Sequence, residues 1–279
     1  MNILLTGGTG FIGSYVLRQL IERGDNVILS TTRPLKPLLG YMPKRVIVGS
    51  LLELDSAKLG SIDSIIHLAA TGVSPRQASW NQLQEVNIKS TLHICQIAKS
   101  LNASIVIAGT YAEYGLSGLK FDEIPPNAPL EPAFPYATSK AAAGQLALGF
   151  ARSEGIKMAY LRIFNAFGPG QHSSNLWPSL INAAASGKDF EMTPGEQIRD
   201  FIKASCVASQ FIDACRSSAL IKGSPLVVNV GSGCPQTVRQ FCEYWWAKES
   251  QGGRLLIGAK PYRANEIMRY VPSLTPIYT

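Results

Sequence analysis

The sequence predicts an α/β fold in which a doubly wound parallel sheet, covered by helices on both faces, is followed by a smaller α/β domain at the C-terminal end. Short, nearly unbroken apolar runs alternate with segments of helical periodicity over the first 164 residues, as in strands that are buried on both faces. A glycine cluster separates the first apolar run from the first helical segment. With 279 residues, 46% of them hydrophobic and 16% charged, the chain can bury the core that such a fold needs.

The first strand is predicted at Ile3–Leu5, and the helix that follows it begins near Phe11. The glycines between them fit two spacings, GxxGxxG from Gly7 and GxGxxG from Gly8, which the sequence alone does not separate. With either spacing, strand, glycine turn and helix form the dinucleotide site of a Rossmann fold, because backbone N–H groups at the helix N-terminus can approach a pyrophosphate. A plain glycine-rich loop is the alternative. The predicted cofactor contacts of this turn are Gly7, Gly10, Phe11, Ile12 and Gly13.

The second strand, predicted at Asn26–Leu29, ends in a segment that indicates which cofactor binds. A chain that binds NAD usually places an acidic residue here, about 20 residues beyond the glycines, to bond the adenosine ribose 2′-hydroxyl. This chain has Ser30, Thr31 and Arg33 instead, and all three can donate hydrogen bonds to a 2′-phosphate. We therefore expect NADP(H) to be the cofactor. The alternative is that Arg33 is a solvated loop residue.

Four more strands and two helices complete the predicted cofactor domain, residues 1–164. The strands are Arg45–Val48, Ile62–Leu68, Ser104–Ala108 and Met158–Phe164, and the helices are Trp80–Leu101 and Ala137–Arg152. The fourth strand ends in His67-Leu68-Ala69-Ala70, where small residues let a flat cofactor lie close to the backbone. We predict His67, Ala69 and Ala70 as cofactor contacts, although His67 fits equally well as a core histidine whose ring nitrogens are paired.

Residues 109–135 are predicted to form a long active-site loop, since prolines at positions 125, 126, 129, 132 and 135 exclude a central strand or helix. Asn165–Gln171 is a cluster of turn residues that marks the exit from the cofactor domain. We expect residues 165–279 to form mainly a substrate (nucleotide-sugar) domain, with roughly residues 198–235 packing back on the first domain. Its predicted elements are helices at Leu176–Ala185, Ala204–Leu220 and Val238–Ala247 and strands at Phe190–Met192, Ile198–Ile202 and Leu226–Val230.

Tyr136 and Lys140 are the residues that most directly indicate chemistry. They stand four positions apart on a predicted helix, so their side chains share one face. An ammonium group stabilises a nearby phenolate, and we expect it to lower the pKa of Tyr136 and so make the phenol a usable general acid. Thr110 follows the fifth strand, at the sheet edge where ligands bind, and its hydroxyl can donate to the same carbonyl oxygen.

Four motifs occur in order along the chain. They are TGGTGFIG at Thr6–Gly13, Thr-x-x-x-Tyr-Gly from Thr110, Pro-Tyr-x-x-x-Lys from Pro135 and Asn-x-x-Gly-Pro-Gly-Gln from Asn165. As a set they resemble the extended short-chain dehydrogenase/reductases, the NAD-dependent epimerase/dehydratase family, that act on nucleotide sugars. The resemblance implies that Thr110, Tyr136 and Lys140 are the catalytic trio. It also implies that Tyr136 and Lys140 contact the cofactor, with Lys140 holding the nicotinamide ribose.

The same resemblance implies a set of substrate contacts. Asn165 and Arg199 would bind the substrate phosphates, and Arg263 would hold the diphosphate from the other side, because arginine forks suit phosphate oxygens. A loop arginine can also be an ordinary surface residue, which is the alternative for Arg199 and Arg263. The full predicted substrate set is Thr110, Tyr111, Asn165, Arg199, Arg263 and Glu266.

Departures from the family pattern narrow the expected activity. The family's 4,6-dehydratases carry Asp-Glu directly after the catalytic threonine, where this chain has Tyr111-Ala112. Its epimerases usually retain NAD and have an acidic residue at the end of the second strand, where Ser30 stands. The segments GEQIRDF and NEIM, at Gly195–Phe201 and Asn265–Met268, are similar to those of 4-keto-6-deoxy sugar reductases such as the CDP-abequose and CDP-paratose synthases.

We therefore expect NADPH-dependent reduction of the C4 ketone of a nucleoside-diphosphate 4-keto-6-deoxyhexose. One alternative is a nucleotide-sugar epimerase with tightly bound NAD(P). An alternative of another class is a non-catalytic sensor or scaffold that binds NADP(H).

The charge and the apolar runs of the sequence indicate which partners and which location to expect. The net charge of +7 comes from dispersed Lys and Arg, so we expect no nucleic-acid partner. No apolar run reaches the roughly 18 residues of a membrane span, and the early first strand leaves no room for a signal peptide, so we expect a cytoplasmic protein.

Five cysteines without CxxC spacing are expected to be buried thiols, with no metal site. Helices Trp80–Leu101 and Ala137–Arg152 could form a homodimer interface, as in relatives, or equally pack in the monomer core.

Overall fold

The computed structural model describes residues 1–32, 41–73 and 77–275. In these ranges the chain forms two kinds of regular element, strands and helices. The strands are β1 (Asn2–Thr6), β2 (Asn26–Thr31), β3 (Arg45–Val48), β4 (Ser64–His67), β5 (Ser104–Thr110), β6 (Met158–Ile163), β7 (Asn165–Phe167), β8 (Phe190–Met192), β9 (Ile198–Lys203), β10 (Leu226–Val230), β11 (Pro235–Thr237), β12 (Leu255–Ile257) and β13 (Arg269–Tyr270). The α-helices are α1 (Phe11–Glu22), α2 (Trp80–Leu83), α3 (Ser90–Ser100), α4 (Pro135–Glu154), α5 (Leu176–Ala185), α6 (Ala204–Arg216) and α7 (Val238–Glu249).

Seven of these strands form one sheet in the order β10-β6-β5-β4-β1-β2-β3. Every pairing in this sheet is parallel. The strand order reverses between β1 and β4, so the connections after these two strands leave in opposite directions and open a crevice at their carboxyl ends. The predicted doubly wound Rossmann fold is therefore confirmed.

Helices cover the sheet on both faces, because alternate residues of each strand point to opposite sides. On one face Leu5 of β1 belongs to a buried cluster with Leu17 of α1 and Phe211 of α6. On the other face Leu4 of β1 lies in a cluster with residues of α3 and α4, such as Ile94. Helix α6 and strand β10 belong to the C-terminal part of the sequence, and both are built into this first layered unit.

The remaining strands form small sheets beside the main one. β9 lies between β11 and β13 and also pairs with β7, while β8 pairs with β12. An aromatic cluster joins these sheets to α5 and α7. Phe167 of β7 packs edge-on against Phe241 of α7, with ring centroids 5.0 Å apart, and the Phe241 ring stacks on Phe201 of β9 at 3.9 Å.

Several details differ from the sequence-based expectations. Asn165–Gln171, expected to be only a break, contains β7, and the short strands β11, β12 and β13 were not predicted. Each of these strands has two or three residues, too few to show an alternating pattern. The predicted single helix Trp80–Leu101 is divided by a π-helical stretch, Gln84–Lys89.

The cysteines are all free thiols, but they are not all buried. Cys95, Cys215 and Cys242 are buried as expected, whereas Cys206 and Cys234 are exposed. Cys206 lies in the first turn of α6, on the side away from the sheet, so the apolar periodicity around it was misleading. Across the part of the chain that the structure describes, no helix has the length and apolar character needed to span a membrane.

Candidate active site

A cleft of about 1090 Å³ lies at the carboxyl ends of the main-sheet strands, between this sheet and the smaller C-terminal sheets. Residues from both halves of the sequence line it. Among the predicted site residues, those that line the cleft are Gly7, Gly10, Phe11, Ile12, Gly13, Ala70, Thr110, Tyr111, Tyr136, Lys140, Asn165, Arg199, Arg263 and Glu266. The fold therefore gathers residues that lie more than 250 positions apart in the chain.

The glycine turn is packed so closely that side chains are excluded. Gly7 has a φ of +71°, and a Cβ placed there would lie 2.5 Å from the backbone nitrogen of Ala69. A Cβ at Gly13 would lie 2.0 Å from the carbonyl oxygen of Gly7. Gly8 faces the side chains of Leu5 and Leu29 instead and does not line the cleft. The GxxGxxG spacing from Gly7 is thus the one that faces the cleft.

The N-terminus of α1 opens into this cleft without a cap. Gly10 is the N-cap residue, and no side chain accepts a hydrogen bond from the first turn within the described residues. The first turn also has no acidic residue. Unpaired N–H groups and the positive end of the helix dipole favour an anion, so the turn fits the pyrophosphate of a dinucleotide.

His67 does not reach the cleft, contrary to its prediction as a cofactor contact. Its ring is buried, with Nδ1 2.7 Å from the Thr6 hydroxyl and Nε2 3.1 Å from the Thr91 hydroxyl. Burial, assisted by the nearby charge of Lys140, lowers the pKa of His67 to about 3. His67 is therefore the paired core histidine that the sequence left as an alternative. Ala69 also lies outside the cleft lining, where its backbone packs against Gly7.

The predicted 2′-phosphate contacts are not brought into the described cleft. Ser30 and Thr31, at the end of β2, are both buried and are not among its lining residues. The reason is that β2 is an inner strand, paired with β1 on one side and β3 on the other, so its last residues remain within the sheet. Thr32, the next residue, is exposed. Arg33 lies outside the described residues.

Thr110 ends β5 and caps the short 3-10 helix Tyr111–Glu113. Its hydroxyl oxygen accepts a hydrogen bond from the backbone N–H of Ala112 at 3.3 Å. The hydroxyl proton has no acceptor within the described residues, and the residue lines the cleft. Thr110 can therefore donate to a ligand oxygen while its own oxygen is held by the backbone.

Tyr136 and Lys140 both line the cleft from the first turns of α4. The Tyr136 ring stacks on Phe134, with centroids 6.5 Å apart, and Lys140 is 3% exposed. The expected lowering of the Tyr136 pKa is not found. Burial raises the pKa of the phenol, and the nearby Glu113 and Tyr111 raise it further. Burial also lowers the pKa of Lys140, which weakens the cation that the sequence-based interpretation relied on.

On the proposed substrate side of the cleft, the Arg199 guanidinium already has protein partners, so it is less available to a phosphate than a free guanidinium. Its guanidinium donates to the backbone oxygens of Ile198 and Ile267 and lies 3.5 Å from the Glu266 carboxylate. Arg263 is exposed at the cleft rim. Asn165 donates its side-chain amide to the backbone oxygen of Asp200 at 3.1 Å. The cleft thus holds one partly neutralised arginine and one open arginine.

Tyr111 lies beside Thr110, and its ring packs with those of Phe164 and Tyr270 in a cluster of three. Its centroid is 5.5 Å from that of Phe164 and 5.6 Å from that of Tyr270. Burial raises the pKa of the Tyr111 phenol, and the charge of Arg199 partly offsets this rise. The phenol is therefore a fixed neutral group in the lining of the cleft.

Three cleft residues that were not predicted each have a buried polar atom without a hydrogen-bond partner among the described residues. The atoms are Oε1 of Gln171, Nε1 of Trp177 and Oε1 of Gln197. A buried polar atom without a partner is costly, so these groups favour a polar ligand in the cleft. Gln171 and Gln197 stand within the quoted motifs, which was a signal for them. Nothing in the sequence around Trp177 pointed to the site.

A comparison with protein families matches residues 3–231 to the model described as Epimerase, the NAD dependent epimerase/dehydratase family. The chain belongs to this family. The match includes the glycine turn, Thr110, Tyr136 and Lys140, so the family resemblance inferred from the motifs is confirmed at this level.

Individual relatives are similar over most of the chain. A dTDP-glucose 4,6-dehydratase of Haemophilus influenzae is 26% identical over 99% of this chain and 85% of its own length. A UDP-N-acetyl-alpha-D-glucosaminuronate decarboxylase of Bacillus cytotoxicus is 28% identical over 86% of this chain and 78% of its own length. The solved structure of MoeE5 in complex with UDP-glucuronic acid and NAD is similar to this chain, with a TM-score of 0.81 and 26% identity. The match covers 98% of this chain and 90% of the MoeE5 chain.

The close packing of the glycine turn generates a prediction about cofactor binding. Gly13→Ala places a methyl group against the Gly7 carbonyl, and overpacking of about 1–3 kcal/mol should weaken binding of the reduced dinucleotide roughly tenfold or more. Fluorescence titration with NADPH and NADH measures the change. Gly149→Ala is the matched control, because Gly149 is an exposed residue of α4 with open space around its Cβ. Equal affinity in both variants would contradict the proposed location of the pyrophosphate.

Proposed function

We propose that the protein is an NADPH-dependent reductase that acts on the C4 ketone of a nucleoside-diphosphate 4-keto-6-deoxyhexose. Membership of the epimerase/dehydratase family supports a nucleotide-sugar enzyme with a nicotinamide cofactor. The finer assignment is supported by the side chains around Thr110. Within the part of the chain that the structure describes, these provide hydrogen-bond donors and a proton donor, and the carboxylate next to them in the chain, Glu113, does not line the cleft.

The orientation of Glu113 is the observation that carries this proposal. Glu113 is the acidic residue that follows Thr110 most closely, and its side chain is fully buried. Its carboxylate accepts hydrogen bonds from the backbone N–H of Thr110, the Tyr160 hydroxyl and Arg162. Dehydration needs a group that removes one sugar proton and another that delivers one, and a carboxylate held in this way is unable to serve. Among the described residues that line the cleft, the acidic ones are Glu191 and Glu266, and both belong to the C-terminal half of the sequence.

The remaining groups suit the reduction of a ketone. A nicotinamide cofactor bound in the cleft would supply the hydride. Tyr136 gives its phenolic proton to the C4 oxygen as negative charge develops there, so one ketone, one hydride and one proton yield one alcohol. The raised pKa of Tyr136 leaves the phenol protonated at neutral pH, although it also makes the phenol a weaker acid than an unperturbed tyrosine. Thr110 donates a second hydrogen bond to the same oxygen, and this stabilisation is worth several kcal/mol, about 3 or more, in a water-poor site.

The C-terminal side of the cleft provides the groups that suit a charged substrate. Arg263 is open to the cleft, and Arg199 is held by backbone oxygens so that one edge of its guanidinium is fixed. Guanidinium groups bind phosphate oxygens with well-defined geometry. The unpaired amide oxygens of Gln171 and Gln197 can accept hydrogen bonds from ligand hydroxyl or N–H groups. The substrate we propose carries both phosphates and hydroxyls.

An epimerase that keeps its cofactor bound is the second candidate, because Thr110, Tyr136 and Lys140 would serve it equally well. A UDP-glucose 4-epimerase of Lactobacillus helveticus is 24% identical to this chain over 73% of the chain and 68% of its own length, which favours this candidate. A reductase consumes cofactor in proportion to product, whereas an epimerase shows no net consumption.

The deciding experiment measures oxidation of added NADPH with a panel of CDP-, dTDP- and GDP-linked 4-keto-6-deoxy sugars. We expect loss of NADPH absorbance in a one-to-one ratio with the deoxysugar product for at least one nucleotide. Product identity is checked by chromatography and NMR. Interconversion of two sugars without NADPH loss would identify an epimerase, and no turnover with any of these sugars would refute the reductase.

A variant of Tyr136 tests the proton donor. Tyr136→Phe removes the phenolic proton and keeps the ring that stacks on Phe134, so kcat should fall by about 100-fold to 10,000-fold while the Kd for NADPH stays nearly constant. Steady-state kinetics and cofactor titration measure the two quantities. Tyr244→Phe, at an exposed position of α7, is the matched control and should leave both unchanged. Full turnover by Tyr136→Phe would rule out this mechanism.

The cofactor preference is tested by direct comparison of dissociation constants. The end of β2 carries Ser30, Thr31 and Thr32 and no acidic residue, so nothing there repels a 2′-phosphate. We expect NADPH to bind about tenfold more tightly than NADH, the value of one charge-assisted hydrogen bond. Thr32→Asp should reverse this order by placing a carboxylate at an exposed position beside the phosphate. Tighter binding of NADH than of NADPH by the unaltered protein would refute the proposed cofactor preference. The similar structure of MoeE5 contains NAD, which makes this comparison necessary.

A further inference from the structure

We propose that Glu113 is a positioning residue for this reduction. Its buried carboxylate holds the backbone of Thr110 and supplies the negative charge that faces Tyr136 and Lys140, and in this way it sets the upper pH limit of the reaction. The inference rests on the proposed function, because it concerns the residues to which that function assigns the chemistry. Glu113 itself is not among the residues that line the cleft.

The hydrogen bonds of Glu113 connect it to two neighbouring elements. Oε1 accepts from the backbone N–H of Thr110 at 2.8 Å and from the Tyr160 hydroxyl of β6, also at 2.8 Å. Oε2 accepts from Nε of Arg162 of β6 at 2.8 Å. The Tyr160 hydroxyl is also 3.2 Å from the backbone oxygen of Lys140 in α4. One carboxylate thus links the end of β5, which carries Thr110, to β6, whose Tyr160 hydroxyl also lies beside the backbone of α4 at Lys140.

Two glycines provide the space for this arrangement. A Cβ at Gly109 would lie 2.4 Å from the Tyr160 ring and 2.9 Å from Oε1 of Glu113. A Cβ at Gly144 of α4 would lie 2.6 Å from the Tyr160 hydroxyl. Any side chain at either position would push β5 and α4 away from the carboxylate. The close approach of β5, β6 and α4 therefore depends on having no side chain at Gly109 and Gly144, where the Tyr160 ring and the Glu113 carboxylate pack.

Arg162 keeps the carboxylate from turning toward the cleft. Its Nη1 donates to the Tyr114 hydroxyl at 3.1 Å and to the backbone oxygen of Pro126 at 2.8 Å, and its guanidinium carbon lies 4.7 Å from the Tyr114 ring centroid. The side chains of Arg162 and Glu113 are 3% and 0% exposed. A buried pair of this kind is held in one geometry because either charge alone would be strongly unfavourable.

The charge of Glu113 acts on both groups that the reduction uses. Burial raises the pKa of Tyr136, and Glu113 raises it further, with a smaller contribution from Tyr111. Burial lowers the pKa of Lys140, and Glu113 opposes this decrease. Other titratable groups also lie near these two residues: the phenols of Tyr111 and Tyr160, and His67, whose lowered pKa leaves it neutral at working pH. Removing the charge of Glu113 should therefore lower both pKa values, so that the phenol loses its proton and the ammonium its charge at lower pH.

The test compares the pH profile of kcat for the unaltered protein and Glu113→Gln. We expect the alkaline limb to move to lower pH by about one unit, which is a tenfold loss of kcat at a fixed pH on that limb, with little change in KM. Glu123→Gln, which removes one negative charge from an exposed residue of the following loop, is the matched control and should leave the limb in place. A purely structural role would lower stability without moving the profile.

Two further measurements keep the outcome decisive. Glu113→Gln combined with Arg162→Met removes both buried charges and leaves no unpaired cation, so it should fold and show the same shift. Ionisation of Tyr136 is measured without substrate from the tyrosinate absorbance during a pH titration. The signal of Tyr136 is the difference between each protein and the same protein carrying Tyr136→Phe. We expect the pKa obtained in this way to be lower in both variants than in the unaltered protein. Unmoved profiles and an unmoved phenol titration would overturn the role of Glu113. Absence of reductase activity in the unaltered protein would refute the function but leave the titration to decide this point.

Discussion

Backbone contact between the glycine turn and the neighbouring strand is the constraint on which the cleft depends. Gly13 at the start of α1 lies directly against the carbonyl of Gly7, and Gly7 lies against the backbone after β4. Because no side chain separates these segments, the uncapped N-terminus of α1 is held at the point where the strand order reverses. The parallel sheet provides the crevice, and the glycine contacts turn it into a place where an anion can approach backbone N–H groups.

The C-terminal half closes this crevice by returning twice to the main unit. α6 packs on α1, with the Gln19 side chain donating to the Ser205 backbone oxygen at 2.9 Å, and β10 extends the main sheet beside β6. Asp200 of β9 then accepts hydrogen bonds from the backbone N–H groups of Ser232 and Gly233, just after β10, at 2.6 and 2.8 Å. These bonds fix β9, and with it Arg199, opposite the residues that end the strands of the main sheet.

Charge in the site is arranged in two layers. Nearest the cleft are neutral or cationic donors, Thr110, Tyr136 and Lys140, and behind them lies the buried pair of Glu113 and Arg162. The carboxylate is thereby kept from the substrate and acts through the backbone and through its field.

The sequence by itself determined the parallel α/β fold, the glycine turn and many of the residues that meet in the cleft, among them Thr110, Tyr136 and Lys140, because hydrophobic periodicity and short motifs are local properties. Only the tertiary structure decided that His67 is paired in the core, that Ser30 and Thr31 end inside the sheet and that burial raises the pKa of Tyr136. It also decided that Glu113 points away from the cleft. These features depend on which groups from distant segments surround a side chain and how much water they exclude, and no spacing along the chain records that.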